Sequence, residues 1–288
     1  MPPRYPHPLR TQIDACSALL RLIKAKVVGR IDFESVADQV VAVECARAIN
    51  TGEAIIALSL DGYGLQGEML LRAMFEAIVT AHWASRHPDK TNERYPLNRK
   101  YLLQLWAAAR RESGLYGDSE PEPLSTEEEA QSRRLFGQYG ELPWTGVRFH
   151  EMVKRFVDEF DDGTGGVHLR AYRTAIHPMI NWSLHSSGLN FWRIMPLPSA
   201  GLPTITLGPS DIGVRDALET AVNLLILCTG VHSDHFHVEF GPPLGKAVFD
   251  AWASFKGPEV IRQLGRNSPC PCKSGRKFKD CHDRLRHE

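Results

Sequence analysis

The chain has 288 residues, of which 43% are hydrophobic and 24% charged, so it has enough apolar material for a large core. Its 34 Lys and Arg residues balance its 34 Asp and Glu residues. This formal net charge of zero excludes a protein that binds polyanions over its whole surface. The charge is uneven, however: residues 262–288 carry eight bases and three acids, a net charge of +5, which leaves −5 for the body.

The sequence shows no sign of secretion or membrane insertion. The N-terminal residues lack the apolar segment of a signal peptide, and the most apolar stretch, Ala221 to Val231, has only eleven residues. Six cysteines are divided between apolar body segments and the last nineteen residues, unlike an extracellular disulfide framework. We therefore expect a soluble cytoplasmic protein without a membrane span, and core thiols at Cys16, Cys45 and Cys228.

Apolar residues recur at helical spacing through most of the body. A first helix is expected around Leu19 to Val27, and a second follows Asp32, which we interpret as its N-cap. The longest helical stretch runs from Thr51 to His87, and its part from Met69 to Val79 is apolar on nearly all sides, as in a helix at the centre of a bundle. Further helices are expected at 99–112, 124–138, 147–160, 168–188, 211–238 and 244–263.

The segment from Phe191 to Ser210 breaks this helical pattern. The sequences FWRI and TITL flank a proline-rich stretch, MPLPSAGLP. Short apolar runs on either side of a proline-rich turn are typical of a short β-hairpin or an extended flap. We expect this segment to cover a groove.

Three cysteines and one histidine lie within thirteen residues of the tail: Cys270, Cys272, Cys281 and His282. Thiolates and imidazole are ligands that zinc prefers, and a closed set of four is typical of a structural site. A disulfide between the first two would close over a single residue and be strained. The sequence therefore predicts one zinc ion here, and a mainly α fold in which a helical bundle, residues 1–260, precedes a small zinc knuckle, residues 265–288. Metal binding supplies the folding free energy of the knuckle, so we expect the body to fold when the knuckle is removed.

The tail sequence GRNSPCPCKSGRKFKDCH, residues 265–282, resembles the SEC-C motif, first known from the tail of the bacterial SecA translocation motor. The resemblance implies that the same three cysteines and histidine ligate zinc, and that the tail is a recognition unit rather than an active site. Two positions depart from the usual pattern. Lys273 stands where the motif commonly has Gly, and Ser268 where it commonly has Asp. The added charge of Lys273 bears on the choice of partner.

Polar residues interrupt two of the expected helices. Arg72 and Glu76 are four residues apart and can pair on one face of the most apolar helix. The pair is either a structural ion pair that fixes the bundle's register or the floor of a functional site. A second polar row runs along the 168–188 helix and consists of Arg173, His177, Asn181 and His185.

The same regions carry a second resemblance. The sequences LLRAMFEA at 70–77, WTGVR at 144–148, YR at 172–173 and WSLHSS at 182–187 together resemble a bacterial all-helical family of unknown function that is often fused to SEC-C tails. The similarity spans residues 35–235. It implies no established reaction, but it implies that side chains from separate helices reach one polar pocket: Arg72, Glu76, Tyr172, Ser183 and His185.

A histidine cluster lies at the end of the 211–238 helix. His232, His235 and Glu239 fall near one helical face, with His237 beside them. Such a set could in principle bind a metal. Histidines near a helix C-terminus are favoured by the helix dipole and often sit solvated there. We therefore expect no metal at this cluster.

Two classes of function remain open. The first is a zinc-binding SEC-C protein that acts as a binding or adaptor protein, with its basic tail docked on a protein or nucleic-acid partner. A homodimer is a further alternative for this class. The second is a metal-independent ribonuclease of the HEPN type, as in toxin or phage-defence systems. In that enzyme Arg170 with His177, or Arg72 with His185, would act on the RNA backbone. The charge of the tail favours the first class.

Overall fold

The computed structural model describes residues 9–27, 33–114, 121–140, 142–160, 209, 212–256, 265–268 and 276–280. These residues form eight α-helices and one short 3-10 helix, and they contain no β-strand. The α-helices are α1 (Arg10–Val27), α2 (Val36–Leu60), α3 (Gly64–Arg86), α4 (Pro88–Glu112), α5 (Thr126–Phe136), α6 (Phe149–Phe160), α7 (Val214–Phe236) and α8 (Gly241–Phe255). The 3-10 helix covers Phe278–Asp280. The mainly α fold predicted from the sequence is confirmed.

Helix α2 begins with a capping box rather than at the expected residue. The backbone N–H of Asp38 donates to the Ser35 hydroxyl at 3.1 Å, and the Ser35 N–H donates to the Asp38 carboxylate at 3.0 Å. The N-cap is therefore Ser35, three residues after Asp32, and the expectation at Asp32 is wrong. Ser35 satisfies a helix N–H that has no carbonyl partner within the helix.

The centre of the fold is the hairpin of α2 and α3, against which α7 packs. Only three residues separate α2 from α3, so the two helices run antiparallel. The start of α3 lies directly against the start of α7, because a Cβ on Gly64 would come within 2.1 Å of the Val214 nitrogen. Only glycine permits this approach.

The core is formed by the facing surfaces of these helices. Leu71, Met74, Phe75 and Ile78 of α3 are each no more than 1% exposed. Helix α6 packs against α3, and α1 packs against α8 and α2. The three body cysteines, Cys16, Cys45 and Cys228, are free and fully buried, which confirms the expected core thiols.

Helix α3 is central but not buried on every side. Met69 is 43% exposed, and the side chain of Arg72 is 40% exposed. The sequence predicts an apolar helix, apart from Arg72 and Glu76, in the middle of the bundle; α3 is central, but Met69 also faces solvent. One stripe of α3 faces solvent because α2, α6 and α7 pack on its other faces.

Two helix boundaries differ from the sequence pattern. Helix α4 begins at Pro88, eleven residues before the expected start, and continues through Pro96. Pro88 occupies the first turn, where a proline is tolerated. Helix α8 begins at Gly241 and ends at Phe255. The 168–188 helix lies outside the described residues, and so does the 191–210 flap apart from residue 209.

No helix in the described ranges combines the length and the apolar character needed to cross a bilayer.

Candidate metal site and polar clusters

The tail is described on both sides of its four candidate metal ligands, which themselves lie outside the described residues. The backbone N–H of Phe278 donates to the Ser268 carbonyl at 2.8 Å, and the N–H of Lys279 donates to the Arg266 carbonyl at 2.9 Å. Main-chain hydrogen bonds thus hold the two arms of the tail side by side. Ser268 precedes Cys270 by two residues, and Asp280 precedes Cys281 by one.

Phe278 anchors the tail to the helical body. Its side chain is fully buried, and its ring centroid lies 5.8 Å from that of Phe249 in α8. Phe278 therefore belongs to the core of the body. This anchoring differs from the expectation of a knuckle that stands apart from the body. The sequence signal for it is a single large apolar residue placed between Lys277 and Lys279.

The described part of the tail also carries exposed charges, among them the acid Asp280. Arg266, Arg276, Lys277 and Lys279 are all exposed. Because Phe278 faces α8, these neighbouring side chains form a basic outer surface on the tail. The +5 charge counted along the sequence is thus presented, in its described part, to solvent.

The Arg72–Glu76 pair is present but only half buried. Arg72 Nε donates to Glu76 Oε1 at 2.7 Å, and the two side chains are 40% and 35% exposed. The pair therefore lies at the surface of α3 rather than in the core. Exposed pairs at this spacing contribute roughly 0.3–0.5 kcal/mol. Their convergence with Tyr172, Ser183 and His185 stays a prediction, because those three residues lie outside the described part of the chain.

Of the three histidines at the end of α7, His237 is exposed as expected, but His232 and His235 are not. His232 is 1% exposed, with its ring centroid 4.8 Å from that of Phe236. Burial lowers the pKa of His232, and the neighbouring His235 lowers it further. His237 is the C-cap, with a φ of 53°.

The third histidine of this cluster, His235, contacts two other helices. Its Nε2 lies 3.0 Å from Asp38 Oδ1 in α2, and its Nδ1 lies 3.0 Å from Ser85 Oγ in α3. Both ring nitrogens are therefore occupied by protein groups. Within the described residues no group of three or more His, Cys, Asp or Glu side chains could hold a metal ion.

A further polar cluster, which sequence reasoning missed, joins α3 to α6. His82 Nε2 lies 3.0 Å from one Glu159 carboxylate oxygen, and Arg86 pairs with the other. Burial lowers the pKa of His82 to about 4, although Glu159 opposes this shift. His82 is therefore neutral at physiological pH. Nothing in the sequence pairs His82 with a residue 77 positions later, so only the packing of α3 on α6 reveals the cluster.

The comparisons with known proteins agree with both resemblances. A family of unknown function, DUF5677, matches residues 38–175, and the SEC-C motif matches residues 266–284. The chain thus has a region similar to DUF5677 ahead of a C-terminal segment similar to the SEC-C motif. No solved structure matches the chain.

Among curated proteins, the chain is similar to two protein translocase subunits SecA. The subunit from Chloroflexus aggregans is 61% identical over 29 residues, which are 10% of this chain and 3% of that protein. The subunit from Methylobacillus flagellatus is 40% identical over 53 residues, or 17% and 6% of the two chains. The chain therefore spans only a small fraction of these relatives' length.

The Phe278 anchor predicts that Phe278→Ala destabilises the full chain by about 3 kcal/mol, because truncating a buried phenylalanine leaves a cavity. Urea denaturation measures this loss. Lys279→Ala is the matched control, since it removes an exposed neighbour and should change stability little. A Phe278→Ala variant as stable as the control would contradict the anchor.

The His82 cluster predicts a specific pH dependence of stability. Between pH 6.5 and about 4, unfolded His82 binds a proton that folded His82 does not. The contribution of His82 to the free energy of unfolding is therefore fully present above pH 6.5. It decreases as the pH falls, by at most about 1.4 kcal/mol per pH unit. We expect His82→Gln to flatten this slope, whereas His150→Gln, at an exposed histidine, should leave it unchanged. Equal slopes in the wild type and His82→Gln would refute the assignment.

Proposed function

We propose that this protein is a zinc-stabilised binding or adaptor protein whose basic C-terminal surface docks on an acidic partner. One observation carries the proposal: Phe278 is buried against α8 while the bases around it are exposed. A tail that merely kept the protein in solution would not need an aromatic anchor in the core. The anchor fixes the orientation of the basic surface, as recognition of a partner requires.

Zinc would be the element that shapes this surface. The paired arms support a four-ligand site, because their hydrogen bonds bring the chain before Cys270 close to the chain before Cys281. Cys270, Cys272, Cys281 and His282 would then form a closed shell, which suits a structural ion. The ion would supply folding free energy to a segment that is too short to have a core of its own.

The SEC-C match favours a protein as the partner. Both curated relatives are named as subunits of a protein translocase, and their similarity is confined to a short segment. A nucleic acid is the second candidate, because exposed Lys and Arg side chains neutralise phosphates as readily as carboxylates. The body is the weaker candidate for either contact, since residues 1–261 carry a net charge of −5.

The comparisons do not favour the HEPN-type ribonuclease. Neither matching family is described as a nuclease. The chemistry would need either Arg170 with His177 or Arg72 with His185. Of these four residues, only Arg72 lies within the described part of the chain.

Zinc binding predicts one equivalent of zinc per purified chain, measured by elemental analysis. Cys270→Ser combined with Cys272→Ser should remove it, because two of four ligands are lost. Cys228→Ala is the control, since this buried thiol is part of the core. Less than half an equivalent in the wild type, or unchanged zinc in the double variant, would falsify the assignment.

The basic surface predicts binding that weakens with salt. The full chain is titrated with poly-glutamate and with single-stranded RNA at two salt concentrations. If RNA binds, the slope of log affinity against log salt should be about −0.7 per neutralised phosphate. Lys277→Glu with Lys279→Glu should weaken binding and leave the zinc content unchanged.

A matched control makes the same charge change on α6, with Lys154→Glu and Arg155→Glu. Equal weakening by both double variants would mean that net charge, and not the tail surface, determines binding. Absence of binding to either polyanion at low salt would exclude a contact that rests on charge alone.

A further inference from the structure

The strongest unassigned cluster lies at the end of the bundle where α2 begins and α3 and α7 end. Ser85 is the twenty-second residue of α3, and His235 is the twenty-second residue of α7. The two helices start in contact at Gly64 and Val214 and run in the same direction, so equal lengths bring these side chains together. Asp38 comes from the first turn of α2, which runs in the opposite direction.

These three residues form a continuous hydrogen-bonded relay. Asp38 Oδ1 lies 3.0 Å from His235 Nε2, and His235 Nδ1 lies 3.0 Å from Ser85 Oγ. Burial by itself would raise the pKa of Asp38, but hydrogen bonds from Ser35, Glu34 and His235 together lower it. An ionised carboxylate can only accept hydrogen bonds, so Nε2 carries the proton. In the neutral imidazole Nδ1 is then the acceptor, and the Ser85 hydroxyl is placed to donate to it.

The Ser85 hydroxyl does not make the local backbone bond that several other hydroxyls of the described helices make. The hydroxyls of Ser17, Thr51, Thr80 and Ser113 each donate to the carbonyl four residues earlier. This is the common local bond of Ser and Thr in helices. Ser85 instead lies 3.0 Å from an imidazole nitrogen, and an imidazole is the partner that a nucleophilic serine needs.

We propose that Ser85, His235 and Asp38 form a hydrolytic site for carboxylic esters. Ser85 is the nucleophile, His235 is the general base and acid, and Asp38 is a positioning residue that fixes the imidazole tautomer. The cap bonds from Glu34 and Ser35 go to Asp38 Oδ2, so capping does not require the contact of Oδ1 with His235.

The reaction follows from the relay. Ser85 Oγ bonds to the ester carbonyl carbon while its proton passes to His235 Nδ1, and the bond to the leaving alkoxide breaks as the alkoxide takes that proton. Water then attacks the acyl carbon and gives a proton to Nδ1, and Ser85 Oγ regains that proton as the carboxylic acid departs. The C-terminal end of α7 favours the transient imidazolium.

The side chains are sheltered but reachable. The His235 side chain is 12% exposed and that of Asp38 is 20% exposed, and Ser85 is half-buried. The partial exposure of Ser85 leaves room for a small ester, while His235 is largely shielded from bulk water. Hydrogen bonds to developing charges are stronger in shielded surroundings than in water.

A fluorophosphonate probe tests the site directly, since it reacts covalently with activated serines. The full chain is incubated with the probe, and peptide mapping by mass spectrometry locates the adduct. We expect one adduct, on Ser85, and none in Ser85→Ala. Ser113→Ala is the matched control, because Ser113 lies at a helix end without a histidine partner. No adduct on Ser85 in the wild type, or an unchanged adduct in Ser85→Ala, overturns the proposal.

Hydrolysis of 4-nitrophenyl acetate separates the roles. His235→Gln can still hydrogen bond to both neighbours but cannot act as a base, so it should lower kcat by at least about 100-fold. Its melting curve shows whether the fold is kept. Asp38→Asn should lower kcat with little change in KM, because Asp38 does not touch the substrate. Wild-type turnover in a folded His235→Gln variant would also overturn the proposal.

Discussion

The contact between the starts of α3 and α7 determines much of the remaining architecture. Gly64 lets the α3 backbone lie against Val214, so the two helices begin together. Because α2 precedes α3 in a tight hairpin, the beginning of α2 must lie at the far end of the bundle. The relay of Asp38, Ser85 and His235 is a consequence of this register. A shift of α7 by one turn would move His235 about 5.4 Å along the axis and break both of its hydrogen bonds.

The sequence predicts what depends on local pattern. Helical periodicity identifies the body as α-helical and its cysteines as core residues, and ligand spacing identifies the tail motif. Periodicity does not predict a helix correctly where a residue such as proline can either end the helix or lie within it. Pro96 lies inside α4, although proline usually ends a helix, so the first half of α4 was missed. An apolar run also cannot show that Met69 and Arg72 face solvent, because this depends on which neighbours pack on α3.

The polar contacts between helices could not be predicted, for the same reason. His82 with Glu159, and His235 with Asp38 and Ser85, join residues that lie 77 to 197 positions apart. Composition shows that these residues exist, but only the register of the packed helices pairs them. Phe278 is the intermediate case. A lone phenylalanine between lysines indicates burial, yet its partner on α8 follows only from the fold.

Helix α8 connects the tail to the end of α7. His232 packs against Phe236 and Phe240, which holds the connection after α7 close to the helix end that carries His235. Helix α8 begins at Gly241, and Phe249 lies about 12 Å further along its axis. The tail is fixed to α8 through Phe278. Aromatic contacts therefore lie at both ends of this connection, with Phe278 on Phe249 and His232 on Phe240.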